Sequence, residues 1–571
     1  MTEFRFKGSD RLLKTVESFS ATEKVLFAVF FFIALISALN LAWRVNKSFT
    51  VAVPAHGGSF NEALIGLPRS INPVLAISDT DKDLSTLIYS GLMKYEGDKL
   101  VPDLASKYTV SGDGLVYHFV LKNNIRFHDG TQLTADDVEY TIQKIQDTEI
   151  KSPRAVDWSS VTIKKVNSLE IQFILKQPYA PFLANTTVGV LPKHLWKNLP
   201  SDQFLFNQNN LEPVGSGPYM VESVQKNKSG VPVSYTLSSF SKFYDGEPFI
   251  SKINIFFYQN EADAINAYKI GAIDNLAGIS PESTASVAST TKNNSYIIHN
   301  PIPRVFGVFM NQSNAPVLAN KEVRQALNMS VNRDRIIKDI LFNYGIAIDS
   351  PLPVSSSTKD SSTIKYDVEG AKSLLAKNGW TINSNGILEK KLGSNRQTIE
   401  FSIETTDSPE LKLIAEYIRK DWAELGVKVN IKVFEFGDLS QNIIKTRKYD
   451  SLLFGQIINK DLDLYAFWHS SQRNYPGLNI AMYVNSKTDK LLEEARSTYD
   501  DKMRMDINKS FEKTVKDDVP AIFLYSPEYI YIVANKIKGL DIESVANHSQ
   551  RFYGIDKWYI ETSDVWRVFT K

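Results

Sequence analysis

The sequence contains no cysteine. Disulfides, thiolate metal sites, cysteine nucleophiles and a cysteine-linked lipid anchor are therefore excluded. Histidine is scarce, with 7 residues and no pair at zinc-ligand spacing, so no metal site is predicted. Neither sign of charge is in surplus, since 65 Lys and Arg oppose 64 Asp and Glu. A nucleic-acid binder needs a basic excess, so no nucleic-acid partner is expected. A GxGxxG opening a helix, a GxxxxGK(S/T) loop and a GxSxG elbow are missing, which leaves no nucleotide loop and no cofactor implied. What is present is bulk: 571 residues, 43% hydrophobic, with 25 Tyr, 32 Phe and 8 Trp. Such a length exceeds one ordinary core and predicts two or three lobes.

One long apolar run breaks the pattern. Val25 to Trp43 reads VLFAVFFFIALISALNLAW, with no charge and with Asn40 near one end. As a helix it spans about 28 Å, close to the hydrocarbon thickness of a bilayer. Arg5, Lys7, Arg11, Lys14 and Lys24 precede it, and only Arg44 and Lys47 follow closely. The positive-inside rule places a leader, 1–24, in the cytoplasm and the bulk of the chain outside the membrane. A cleaved signal peptide fits less well, because the leader and the apolar run are both long for one. Val53-Pro54-Ala55 is a weak cleavage candidate, rather far downstream. A single-pass anchor at 25–43 followed by a short tether at 44–59 is the expectation.

The outer part alternates strand and helix patterns. Val116–Leu121, the hairpin around Asn167-Ser168, and Ile253–Tyr258 read as strands. Thr134 opens a helix as its cap, with Asp137 at the third position as an imperfect capping box. Lys321–Leu341 reads as one long amphipathic helical region, and Ala521–Tyr525 and Tyr529–Val533 as two late strands. Leu411, Ile414, Ile418, Trp422 and Leu425 share a helix face between strands at 398–404 and 427–433. Strand–helix–strand order marks an α/β lobe.

Chemistry-bearing motifs are thin. Gly215-Ser216-Gly217-Pro218-Tyr219 lacks the donors of a phosphate loop and reads as a tight turn. Asp136/Asp137 and Asp517/Asp518 sit at helix ends. Asp461 and Asp463 precede Tyr465, Phe467, Trp468 and His469, a polar–aromatic mixture that suits a ligand cleft or a packed core equally well.

The stretch Leu104–Lys144 is more specific. It contains Phe127-His128-Asp129-Gly130, then Leu133-Thr134-Ala135 and Asp137-Val138. This resembles the signature of extracellular solute-binding protein family 5, the peptide- and nickel-binding proteins of ABC transporters. Further blocks resemble that family in order: Pro213–Tyr219 with Gly215, Gly217, Pro218 and Tyr219, the helix carrying Arg324, Tyr366–Trp380, and Val519–Pro527. The resemblance covers roughly 60–545.

It implies a mixed α/β, bilobal periplasmic-binding-protein-like fold (class C, type II) with an extra subdomain. The implied division is 60–96 as the start of lobe 1, 97–210 as its inserted subdomain and 211–309 as its second part. Lobe 2 would span 310–520, and 521–571 would return to lobe 1 and form the tail. It also implies no catalytic residues, a peptide-like ligand between the lobes, and a permease with its ATPase as partners. Phe127, His128, Asp129, Gly130, Thr134, Asp137 and Arg324 would be structural. Many members place an acid after Gly-Trp to meet a peptide amine, but here Gln456 and Asn459 stand in those places. Asn459, Asp461, Asp463, Tyr465 and Trp468 are the candidate ligand residues, with the bilayer contacted through 25–43. A hydrolase with a lobed cleft, or a surface interaction protein on the same fold, are the rival readings.

Overall fold

The computed structural model describes residue 15 and residues 18–290, 294–353, 365–458, 462–542 and 545–569. Of the expected leader, residues 1–14, 16 and 17 lie outside that set. The apolar run forms one helix, Ala21–Phe49, longer than the expected 25–43. Ser20 and Glu23 close a capping box at its start, and none of its residues is buried. The expected tether at 44–59 is not a free linker. The helix continues to Phe49, and Thr50–Ala55 then pairs antiparallel with Glu561–Trp566, from Thr50↔Trp566 to Ala55↔Glu561. Thr50, Val51 and Val53 favour strand, and their partner lies at the far end of the sequence.

A single strand, Ala521–Ala534, organises the two lobes. Its first half pairs with Arg304–Met310, next to Ser451–Ile457. Its second half pairs with Ser295–Pro301 and Asn275–Ala277. The sequence predicts two strands here, split around Pro527, whereas the structure has one. Pro527 lies where the strand passes from one lobe's partners to the other's, so its missing N–H interrupts neither ladder.

Lobe 1 adds Ser59–Ile65, Lys252–Tyr258, Pro232–Ser239 and Tyr219–Lys226. Lobe 2 adds Glu400–Thr406 and the parallel Lys428–Phe434, connected by helix Pro409–Ala423. Parallel pairing of neighbouring strands requires such a crossover. Arg304–Met310 belongs to the lobe 2 ladder, so that lobe starts near 304 rather than 310. Likewise the strand half 521–525 stays with lobe 2. The expected long helix at 321–341 is two helices, Lys321–Met329 and Arg333–Asp339. The Asn332 side chain accepts the Arg335 N–H and starts the second one afresh.

Within 97–210 a four-stranded antiparallel sheet forms in the order Ala105–Val110, Val116–Leu121, Glu170–Leu175, Val161–Asn167. Helix Ala135–Gln146 buries Val138, Ile142 and Ile145 in the same apolar cluster that holds Phe60 and Leu84 of lobe 1. Lobe 2 has separate cores on the two faces of its sheet, with Val308 and Met310 in one and Val305 and Phe309 in the other.

Candidate functional site

The signature residues build a clamp. Phe127 is fully buried, and the Asp129 carboxylate accepts the Thr131 N–H at 2.9 Å, shaping the turn through Gly130. His128 faces the loop at 215–217. Its Nδ1 accepts the Gly215 N–H at 3.2 Å, so the proton sits on Nε2, which donates to the Gly217 carbonyl at 3.0 Å. Burial pushes its pKa down to about 4. Asp137 does complete the capping box, accepting the Thr134 N–H at 2.8 Å, and its second oxygen accepts the Lys193 N–H at 2.9 Å. The clamped loop in turn presses on the end of helix Asp79–Ile88. A Cβ at Gly215 would lie 2.0 Å from the Ile88 carbonyl oxygen, and one at Gly217 would lie 2.6 Å from the Ile88 carbonyl carbon. Both positions therefore exclude any side chain. Gly217 N–H donates to Ile88 O at 2.8 Å, and the next residue, Tyr89, is thereby held in place. Tyr219, after Pro218, anchors the loop from the other side through its hydroxyl on Ile250 O. Arg324 is structural in lobe 2, donating to the Leu318, Ala319, Asp518 and Val519 carbonyls.

Tyr89 lines a cavity of about 450 Å³. Its walls come from the loop at 73–77, helix Asp79–Ile88, the subdomain segments at 153–157 and 184–189, and the C-terminal return at 546–556. All of them belong to lobe 1 and its subdomain. Tyr89 is 5% exposed, and its hydroxyl has no hydrogen-bond partner among the described residues. Burial raises its pKa far above the ordinary phenol value. Charges of both signs line the wall: Lys82, Lys94 and Arg154 against Asp103, Asp157 and Asp556. Lys94 is committed to Asp245 at 3.1 Å and Asp103 at 3.6 Å, and Asp103 accepts from the Tyr244 hydroxyl. Arg154 makes no such pair among the described residues. Burial lowers its pKa, and Asp157 nearby works against that. A guanidinium with no ion pair among the described residues, in a mixed-charge cavity, suits a ligand that carries a carboxylate.

A buried ion triad supports the rear wall. Arg551 meets Glu62 at 3.0 Å and Asp83 at 2.9 Å, and Tyr531 donates to Glu62 at 2.7 Å. Burial raises the pKa of Asp83 to about 7, with Arg551 opposing it. This triad ties the C-terminal return to the first strand and helix of lobe 1.

The predicted ligand residues have mixed fates. Asn459 and Asp461 lie outside the described residues. Asp463 is bound within the protein: Arg496 donates to it at 2.6 and 2.9 Å, and the Tyr179 hydroxyl of the subdomain reaches it at 3.1 Å. Tyr465 stacks with His469 at 4.1 Å, with the Arg496 guanidinium 4.0 Å over its ring. Asp463 and Tyr465 thus form a strap from lobe 2 to the subdomain, reinforced by the Arg496 carbonyl accepting from Ala180 N–H. Trp468 is a core residue, not a cleft one. It is fully buried against Phe309, Tyr483, Phe511 and Phe523, which an aromatic cluster on a short helix permits as readily as exposure. Sequence reasoning missed Tyr89, Arg154 and the Arg551 triad. Their residues come from segments far apart and share no spacing.

Comparison with known proteins agrees with this architecture. The model for bacterial extracellular solute-binding proteins, family 5 (middle region), matches residues 99–477. The chain belongs to this family. It is similar to the oligopeptide-binding protein AppA of Bacillus subtilis, 26% identical over 520 residues, covering 89% of this chain and 92% of that one. The solved structure of B. subtilis AppA in complex with a nonapeptide matches with a TM-score of 0.67 at 25% identity, covering 89% of this chain and 100% of that one. The structure of NikZ from Campylobacter jejuni in complex with Ni(L-His) matches equally, with a TM-score of 0.67 at 25% identity, covering 88% and 99%. Family 5 members are solute-binding proteins, and the two relatives named here are solved with a nonapeptide and with a nickel–histidine complex.

Proposed function

We propose that this protein is a membrane-anchored extracytoplasmic receptor that captures peptides or peptide-like solutes and delivers them to an ABC permease powered by a partner ATPase. The observation that carries the reading is family membership combined with two lobes joined by few connections. The chain enters lobe 2 between Pro301 and Arg304 and leaves it along Ala521–Ala534. Two crossings of this kind allow hinge closure over a solute. Under this reading the lobe 1 cavity supplies Arg154 and Tyr89, and Asn459 and Asp461 stay ligand-contact candidates on the strength of the sequence. The chain would carry out no reaction of its own. Retention of the anchor is supported by the ribbon, because cleavage after Ala55 would leave strand Glu561–Trp566 without its partner.

Native mass spectrometry of the detergent-purified full chain tests this. Mild denaturation should release intact peptides. A chelated metal or a sugar as the occupant would overturn the peptide assignment, and steady turnover of a peptide library would overturn the receptor assignment.

A further inference from the structure

The ribbon that joins the helix to the body has a direction. Thr50–Ala55 leaves the end of helix Ala21–Phe49, and Glu561–Trp566 runs antiparallel to it. The C-terminal strand therefore returns toward the helix, and Trp566 pairs with Thr50 immediately beyond the helix end. Phe49 and Trp566 stack with ring centroids 6.3 Å apart and planes inclined by 19°. Past Trp566 the chain continues as a short turn of helix, Arg567–Phe569. Trp566, Val568 and Phe569 are 49%, 85% and 77% exposed.

Heights along the helix axis locate this patch. Trp43 closes the uncharged run, and Phe49 stands six residues, about 9 Å, beyond it. The turn 567–569 is about 6 Å long at 3₁₀ rise. Continuing the direction of the strand before it, the turn would bring its apolar tip to roughly 3 Å outside the hydrocarbon edge, within the headgroup layer. That layer is where Trp and Phe rings beside Arg and Lys are most stable. Arg44, Lys47 and Arg567 are the neighbouring cations, and Lys47 already sits 5.0 Å over the Trp43 ring.

We infer that the C-terminal segment Trp566–Phe569 seats in the outer bilayer interface beside the anchor helix, making a second membrane contact that fixes the orientation of lobe 1. The inference rests on the anchoring proposed above. The ribbon between these two contacts and lobe 1 is about 20 Å long.

The absence of cysteine makes the test direct. Full-length Phe569→Cys, Phe206→Cys and Ile33→Cys are each nitroxide-labelled in vesicles of phosphatidylethanolamine and phosphatidylglycerol. Collisions with oxygen and with a water-soluble nickel chelate are then compared. Phe206 lies in the subdomain and is 86% exposed, so it reports bulk water. The expected result is a several-fold higher ratio of oxygen to chelate collisions at 569 than at 206, below that at 33. A lipid-buried label at 33 with water-like behaviour at 569 would overturn the inference while leaving the anchor standing. Such a result would leave the patch for a protein partner. Water-like behaviour at 33 would overturn the anchor and the inference together.

Discussion

Replacing His128 with Gln should change the protein's response to acid. In the native clamp the imidazole accepts from Gly215 through Nδ1 and donates to Gly217 through Nε2. A second proton would have to enter at Nδ1, abolish that acceptor and set two N–H groups against each other. Burial is the leading cause of the depression from 6.5 to about 4. At about 1.4 kcal/mol per pH unit, that gap corresponds to roughly 3 kcal/mol. The ring is half-buried, and solvent screening reduces this to about 2 kcal/mol. The unfolded chain takes up the proton below pH 6.5, and the folded chain only near 4. The His128 contribution is thus complete above 6.5 and is lost as pH falls through that window. Asp83, raised to about 7, moves the opposite way, since acid relieves its buried charge. The total pH profile therefore does not isolate His128, but the difference between native protein and variant does. In urea unfolding at about pH 7.5 the variant should be less stable by about 1 kcal/mol, the value of one hydrogen bond. At about pH 4.5 the difference should shift by about 2 kcal/mol in the variant's favour. An equal difference at both pH values would refute the clamp's protonation logic.

Three further outcomes follow from the geometry and a fourth from the sequence resemblance. Arg551→Met leaves Glu62 and Asp83 buried without their cation, and should cost about 3–5 kcal/mol in thermal unfolding. Because burial raises both carboxyl pKa values, the variant's melting temperature should recover on acidification from about pH 8 to about pH 6 more steeply than the native protein's. Asp463→Asn breaks the Arg496 pair and weakens the strap to Tyr179. Loss of about 1–2 kcal/mol should shift the lobes apart, seen as a larger radius of gyration in small-angle scattering without ligand. Arg154→Gln should reduce the affinity for a carboxylate-bearing peptide by about tenfold to a hundredfold in calorimetry, and leave its amidated form nearly unchanged. Asn459→Asp should raise affinity for peptides with a free amine and not for acetylated ones, checked by the same titrations.

Local features were legible and long-range ones were not. The cap at Thr134 and the turn at Asp129-Gly130 each depend on a few adjacent residues, so the sequence pattern carries them. What His128 grips lies at Gly215 and Gly217, and nothing local announces that partnership. The break at Asn332 was hidden because an apolar stripe continues across it, while one capping side chain resets the helix. Thr50–Ala55 is half exposed, Glu561–Trp566 is mostly exposed, and both lack clean alternation, so neither reads as a strand without the other. The cluster Tyr465 to His469 carried no information on which rings face inward. Tyr465 became part of the strap, and Trp468 filled the lobe 2 core.

The two ends of the described outer chain impose an asymmetry on lobe motion. Thr50–Ala55 leads directly into Ser59–Ile65, and Glu561–Trp566 follows Trp558; Phe60 and Trp558 are both in the lobe 1 core. Every covalent route from the helix to the body therefore enters lobe 1. Lobe 2 is reached through the crossings near Pro301–Arg304 and along Ala521–Ala534, and through the noncovalent strap at Asp463, Arg496 and Tyr499. With the proposed anchoring, lobe 1 stays fixed against the membrane and closure becomes a movement of lobe 2 alone. The cavity, the His128 clamp and the Arg551 triad all sit on the fixed lobe, so ligand would be held at a constant height while lobe 2 swings. A freely diffusing receptor must find its permease in both position and orientation. One held by helix and ribbon arrives with its orientation already set, and only the position of lobe 2 remains to distinguish the empty from the loaded state.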